Sequence, residues 1–383
     1  MTAQQHFDPA PVGAAERFST RIAFFIAGLC MSAWAPLVPL AKARAQLDEG
    51  TLGILLLGLG AGSILTMPLA GHLSSLRGCR WVMLLGSLGA CLSLPMLASF
   101  SSAAGLAAAV LLFGAAMGLL DCAMNIQAVL VEQASDRPLM SGFHGLFSVG
   151  GIVGAAGMTG LLSLGLGALP AVLGVVALTV ALLLVAGRYF LPYGSAREGP
   201  PFAVPHGVVL FLGVLCFIVF MTEGAMLDWS AVFLVGNRAM EPAWAGLGYA
   251  AFAATMTAGR LTGDAMVSRL GGPTLVVLGG LLAALGLAIS LVPLGWPVAL
   301  VGYALVGAGC SNIVPVLFTA VGRQTRMPQR TAIPAMISLG YAGILLGPAA
   351  IGLAAHLTTL AWALGGLIAL LLFVAASGRY LRN

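Results

Sequence analysis

Apolar residues run along this chain in long unbroken stretches, separated by short polar breaks. A bilayer core of about 30 Å takes about 20 apolar residues of helix. Twelve stretches approach or exceed that length: 20–41, 50–74, 81–99, 104–131, 141–166, 170–190, 207–235, 243–266, 273–293, 296–321, 331–355 and 358–378. The runs do not alternate and are too long for transmembrane strands. The pattern predicts an all-α integral membrane protein of twelve transmembrane helices, spans 1–12 in chain order. The shortest breaks fall near Pro170, Trp296 and Thr358. The polar N-terminal segment lacks the basic-then-apolar layout of a cleavable signal, so the first stretch is expected to be a retained helix.

The longest internal polar stretch is Leu191–His206, with Pro192, Pro200, Pro201 and Pro205. It divides the chain into an N-terminal six-helix bundle (1–190), a linker (191–206) and a C-terminal six-helix bundle (207–383). The halves also resemble each other. Gly71-His72-Leu73 and Gly78 after span 2 match Gly263-Asp264-Ala265 and Gly271 after span 8. Asn125-Ile126 in span 4 matches Asn312-Ile313 in span 10, and Gly150/Gly154 in span 5 match Gly343/Gly347 in span 11. Three matches in order, at one offset, predict a parallel repeat whose halves are related by a pseudo-two-fold axis along the membrane normal.

Charge sets the orientation. Of 17 Lys and Arg, Lys42, Arg44 and Arg238 fall on one side of this map and the rest on or near the other. The positive-inside rule makes the richer side cytoplasmic, with both termini there and the cell (inner) membrane as the expected location. The net charge of +5 therefore needs no nucleic-acid partner.

Composition narrows the function. The chain is 60% apolar and 8% charged, against about 25% charged in soluble domains. A water-soluble enzyme, a nucleic-acid binder and a disordered protein are excluded. The six cysteines lie in apolar stretches without CxxC spacing and read as core residues. No P-loop, GxSxG, HExxH or metal-ligand spacing occurs, so no cofactor and no metal are expected. A membrane-integral enzyme, the remote alternative, needs clustered nucleophile, base or metal ligands. His72, His144, His206 and His356 are far apart in the chain.

An ionisable residue in mid-membrane costs roughly 2.5–3.5 kcal/mol on insertion scales and is by default a functional hypothesis. Asp121 lies near the middle of span 4 with Asn125 on the same helix face. It is a candidate proton-coupling acid, against polar glue between helices. Glu223 lies near the midpoint of span 7 as a second coupling or substrate candidate. Asp228 is either a gate partner for Arg238 or Lys42, or a solvated acid. His144, in the first turn of span 5, is a proton relay or a packed imidazole. Arg260 and Asp264 in span 8 read as an i,i+4 ion pair or a conformational latch, and Glu132 with Arg137 likewise. Trp34 can stack on a solute ring or pack. Gln127 and Asn312 complete the polar cavity candidates. The Gly-x-x-x-Gly pairs allow close helix packing.

With these residues in view, the chain resembles the major facilitator superfamily. That family's loop motif runs Gly-x-Leu-x-Asp-Arg-x-Gly-Arg-Arg. Here Gly71, Leu73, Gly78 and Arg80 match, while Ser75 and Leu76 replace the Asp and Arg. After span 8, Arg269 and Gly271 match and Ser268 replaces the acid. Within the superfamily the fucose-permease-like branch fits best. Asp121-x-x-x-Asn125 is similar to its acid-x-x-x-Asn, and Asn312-Ile-Val-Pro315-Val-Leu-Phe318 to its Pro-Thr-Ile-Phe segment. In Phe143-His144-Gly-Leu-Phe147-Ser148-Val-Gly150, the permease carries Gln in place of His144. The acid that the permease carries in span 1 is absent here.

The resemblance implies that spans 1, 4, 7 and 10 line the cavity. It implies a secondary transporter of a small solute working by alternating access, with protons as coupling ion and a sugar or sugar derivative as solute. The protein is expected to work as a monomer in a lipid bilayer. A proton-antiporting drug or metabolite exporter of the same fold is the alternative, since residues such as Met117, Met124, Met221 and Met226 give adaptable walls.

Overall fold

The computed structural model describes residues 12–135, 137–196, 203–241 and 244–382. Arg197, Pro200 and Pro201 of the linker lie outside them. Among the described residues all regular structure is helical. Span 1 is Ala14–Ala33, continued through a 3-10 turn at Ala35–Leu37 into Val38–Ala45. Spans 2 to 6 are Glu49–Arg77, Cys79–Ser99, Ala103–Gln133, Met140–Ser163 and Ala168–Ala186. Spans 7 to 9 are Gly207–Arg238, Leu247–Leu270 and Gly272–Leu291. Span 10 is Trp296–Cys310 plus Ile313–Arg323, and spans 11 and 12 are Gln329–Leu357 and Leu360–Ser377.

Eleven of these spans are long and apolar enough to cross a membrane by length and composition. The exception, Leu247–Leu270, carries Arg260, Asp264 and Arg269. It packs against spans 5 and 10, which supply protein partners where lipid offers none. It also starts and ends about four residues later than the hydrophobic pattern suggested.

The breaks have covalent causes. Pro36 and Pro39 interrupt span 1 beyond Trp34. In span 10, Pro315 has no N–H to give to the carbonyl four residues back, so the Ser311 carbonyl is free of the helix. The helix breaks there, at Ser311–Asn312. Both short turns at spans 2–3 and 8–9 pass through a glycine with positive φ, Gly78 at +86° and Gly271 at +79°, a region open to glycine at little cost.

The internal repeat is visible in side-chain detail. Thr66 Oγ1 donates to the Ala115 carbonyl at 3.0 Å, tying span 2 to span 4. Thr255 Oγ1 donates to the Ala304 carbonyl at 2.7 Å, tying span 8 to span 10. Donor and acceptor are displaced by the same offset. Gly118 and Gly307 let these helices meet, because a methyl group at either would strike the facing backbone and the threonine hydroxyl. Gly150 and Gly154 sit against the Phe25 and Leu29 carbonyls of span 1, and Gly343 and Gly347 against Phe217 and Met221 of span 7. Arg44 donates to the Leu97 and Phe100 carbonyls at the end of span 3. Arg238 does the same for Ser290 and Leu291 at the end of span 9. Two of the three basic residues mapped to that face thus serve carbonyls left open at helix C-termini.

Candidate functional site

Three layers lie on the seam between the bundles. They run inward from the face that carries both chain ends, here the terminal face.

The outermost layer closes that face. Asp264 Oδ1 accepts the backbone N–H of Gly142 at 3.0 Å, from span 8 to the first turn of span 5. Glu132 Oε2 accepts the N–H groups of Leu139 and Met140, both at 2.8 Å, and its Oε1 accepts the Thr319 hydroxyl of span 10. Helix N-termini leave N–H groups open and carry partial positive charge, so carboxylates settle there. Gln133 Nε2 donates across the seam to the Gly322 carbonyl at 2.6 Å. Neither ion pair suggested by the spacing forms. Asp264 turns to span 5 instead of Arg260, and Glu132 turns to amides instead of Arg137, which is exposed.

The second layer is aromatic. His144 is buried, with its ring centroid 5.1 Å from that of Phe24 in span 1 and 5.3 Å from that of Phe318 in span 10. It joins both bundles, and its Nε2 has no hydrogen-bond partner.

The third layer lies at mid-depth. Arg260 is ten residues from the end of its helix, or about 15 Å at 1.5 Å per residue; span 8 runs on to Leu270, so the arginine is deeper than its sequence position suggested. Its Nη2 meets Glu223 Oε1 of span 7 at 3.3 Å. Its Nη1 donates to Ser148 Oγ of span 5 at 3.1 Å, and its Nε to the freed Ser311 carbonyl at 3.4 Å. Asn312 Nδ2 donates to Gly259 O at 3.0 Å, holding span 8 against the break. One guanidinium therefore links the break in span 10, an acid of its own bundle and a hydroxyl of the other.

Asp121 occupies the same depth on span 4. Asn125 Nδ2 donates to the Asp121 carbonyl at 2.9 Å and approaches its carboxylate at 3.5 Å. Tyr341 of span 11 faces the same carboxyl across the seam. Cys216 lies within electrostatic reach of both Asp121 and Glu223. The structure thus brings together Asp121, Asn125, Glu223, Arg260 and Asn312.

Other residues stand apart. Gln127 is fully buried in its own bundle, donating to Thr20 Oγ1 and accepting from Leu191 N, both at 2.9 Å. It pins span 1 and the linker and does not line the central layer. Trp34 is buried at the end of the first segment of span 1. Asp228 is exposed and does not meet Arg238, whose guanidinium is taken up by carbonyls. The sequence reading missed Tyr341 and Thr319 as partners. The signal for Tyr341 was a hydroxyl-bearing ring in an otherwise apolar span; nothing local marked Thr319. All six cysteines are free thiols. Among the described residues no group of three or more His, Cys, Asp or Glu is placed to hold a metal.

Comparison with known proteins agrees with this architecture. The chain is 52% identical over 380 residues to an uncharacterized MFS-type transporter of Yersinia pestis, covering 99% of each. It is 31% identical over 366 residues to membrane protein MosC of Rhizobium meliloti, covering 92% of this chain and 87% of that one. In fold it is similar to the transporter FucP in its outward conformation, with a TM-score of 0.78, 16% identity, and coverage of 96% and 98%. It is also similar to the human organic anion transporter MFSD10, with a TM-score of 0.73, 18% identity, and coverage of 95% and 100%. The Major Facilitator Superfamily profile matches residues 21–348. By that match, and by its relatives, the chain belongs to the major facilitator superfamily of transporters.

Proposed function

We propose that this transporter moves a small hydroxylated solute across the bacterial inner membrane by rocking its two bundles about the central layer, driven by protons held at Asp121 and Glu223. The observation that carries this reading is the pair of mid-depth carboxyls, one in each bundle. Glu223 is tied across the seam through Arg260 to Ser148, and Asp121 faces Tyr341 of the other bundle. A change in the protonation of either acid alters a contact that spans both bundles. That is the link a coupled carrier needs between proton occupancy and conformation.

The terminal face, cytoplasmic by charge distribution, is closed by Asp264, Glu132 and Gln133. Glu223 keeps 18% of its side chain exposed. This is the arrangement of a carrier loaded from outside, in keeping with the fold shared with outward FucP. FucP is described as a fucose:proton symporter, which supports the sugar-like solute and the coupling ion.

The test is proton movement in vesicles. Protein reconstituted with an internal pH dye is challenged with a panel of sugars and sugar derivatives. Solute-triggered proton uptake in wild type, lost in Asp121→Asn or Glu223→Gln with binding retained, is the expected outcome. Uptake that continues unchanged in both variants sinks the coupling assignment.

A further inference from the structure

We infer that Arg260 receives an acidic group of the transported solute, and that the solute class is a small hydroxylated carboxylate, such as a sugar acid, in place of a neutral sugar. The inference rests on the central layer being the solute site, as proposed above, and narrows its chemistry.

Arg260 is 6% exposed at mid-depth. A guanidinium carries five N–H donors in a rigid fork that matches a carboxylate through two parallel bonds. Charge-assisted N–H···O bonds of good geometry fall near 2.7–2.9 Å. The three contacts of Arg260 are 3.1, 3.3 and 3.4 Å, and Glu223 engages it through one oxygen. A buried cation with long, single-point contacts has donors to spare in a place where sparing them is expensive.

The two acids are differently placed. Glu223 has Arg260 as counterion, and the Asp121 carboxyl is approached by Asn125 Nδ2 at 3.5 Å and faces Tyr341. The guanidinium has five N–H donors and makes three contacts, so it keeps capacity for an added carboxylate.

A second observation is independent of the arginine. His144 Nε2 is buried without a partner and lies within electrostatic reach of the same guanidinium. Nearby, Asn125 Oδ1 and Asn312 Oδ1 are buried acceptors without donors. Carboxamide oxygens of this kind are suited to hydroxyl groups. The combination asks for a ligand with one carboxylate and several hydroxyls. When it binds, Glu223, the more exposed member of the pair, is the carboxylate that it displaces.

The experiment uses the full-length chain in lipid nanodiscs. Binding of D-gluconate, D-glucuronate and D-glucose is measured by calorimetry. The proteins are wild type, Glu223→Gln, Arg260→Gln, Arg260→Lys and the doubly neutral Glu223→Gln/Arg260→Gln, each checked for folding by thermal unfolding. The expected result is that at least one acid binds wild type and D-glucose binds more weakly. Removing the competing carboxylate in Glu223→Gln tightens the acid by about tenfold, equivalent to about 1.4 kcal/mol. Arg260→Gln and the double variant lose it, and Arg260→Lys recovers part. The double variant guards against a trivial loss, because it removes Glu223 and Arg260 together and leaves neither member of that pair without the other.

D-glucose binding as tightly as its acids overturns the inference, as does acid binding that survives Arg260→Gln, or no acid binding in either wild type or Glu223→Gln. The vesicle assay separates the two readings. Glucose-driven proton uptake that is indifferent to Arg260→Gln removes the acidic solute and leaves the coupled carrier. Acid binding that depends on Arg260, without proton movement in wild type, keeps the acidic solute and removes the coupling.

Discussion

The carboxylate of Asp264, on span 8, accepts the backbone N–H of Gly142, on span 5, at 3.0 Å. One bundle thus caps a helix of the other, and the cap exists only while the terminal face is closed. Hydrogen bonds to charged groups are worth about 1.5–3 kcal/mol. Asp264→Ala should therefore shift the population toward the form open on that face by about tenfold or more. Gly142→Ala should do the same by a different route, since its new methyl group would collide with the carboxylate. Spin-label distances between the terminal-face ends of spans 5 and 8 check both. An unchanged distance distribution in both variants counts against the latch.

Glu132 holds three donors on two elements and Arg137 holds none of them. Glu132→Ala should lower thermal stability by more than Thr319→Val, which removes one of the three. Arg137→Ala should leave the unfolding temperature where it was. A comparable loss for Arg137→Ala would restore the ion pair that the spacing first suggested.

Thr66→Val and Thr255→Val remove equivalent interhelical hydrogen bonds in the two bundles. Such bonds average about 0.6 kcal/mol in membrane proteins, so each variant should be mildly destabilised, by similar amounts. The double variant should be additive, since the sites share no partner. Gly118→Ala and Gly307→Ala should cost more than the threonine variants, because backbone must move in each. Chemical unfolding in mixed micelles orders the set.

His144 fills the space between Phe24 and Phe318. His144→Ala should leave a cavity and cost about 2 kcal/mol or more, by analogy with large-to-small core changes. His144→Phe should keep most of that packing. If the imidazole matters only as a filler, vesicle transport by His144→Phe should equal wild type. A loss of transport with stability retained assigns a role to the nitrogens.

Much of the site was legible residue by residue and little of it as partnerships. The cost of a charge in lipid singled out Asp121 and Glu223 with no knowledge of the fold, while Arg260 stood only as an ion-pair or latch residue nearer the membrane edge. Helical spacing then paired Arg260 with Asp264, and closeness in the span 4–5 loop paired Glu132 with Arg137, and neither pair forms. At i,i+4 two groups share a face, but an amide at a helix end or a carboxylate on the next helix competes for the same partner. Gln127 illustrates the same limit: its polarity showed, but not that its partners were Thr20 and the Leu191 amide.

Hydropathy along the chain was enough for the twelve helical spans, most of their boundaries and the internal repeat, whereas the breaks at Pro36, Pro39 and Pro315 were visible as prolines but emerged as breaks only in the fold. These follow from local physics: lipid forces each segment to satisfy its own backbone, and hydropathy and proline mark where it can and cannot. The tertiary structure decided which residues meet across the seam. Ser148 with Arg260, Asp121 facing Tyr341 and Asp264 with Gly142 join helices far apart in the chain. Only the packing of whole bundles, through glycine contacts such as Gly118 of span 4 against span 2 and Gly307 of span 10 against span 8, sets the rotation and depth that bring those groups together.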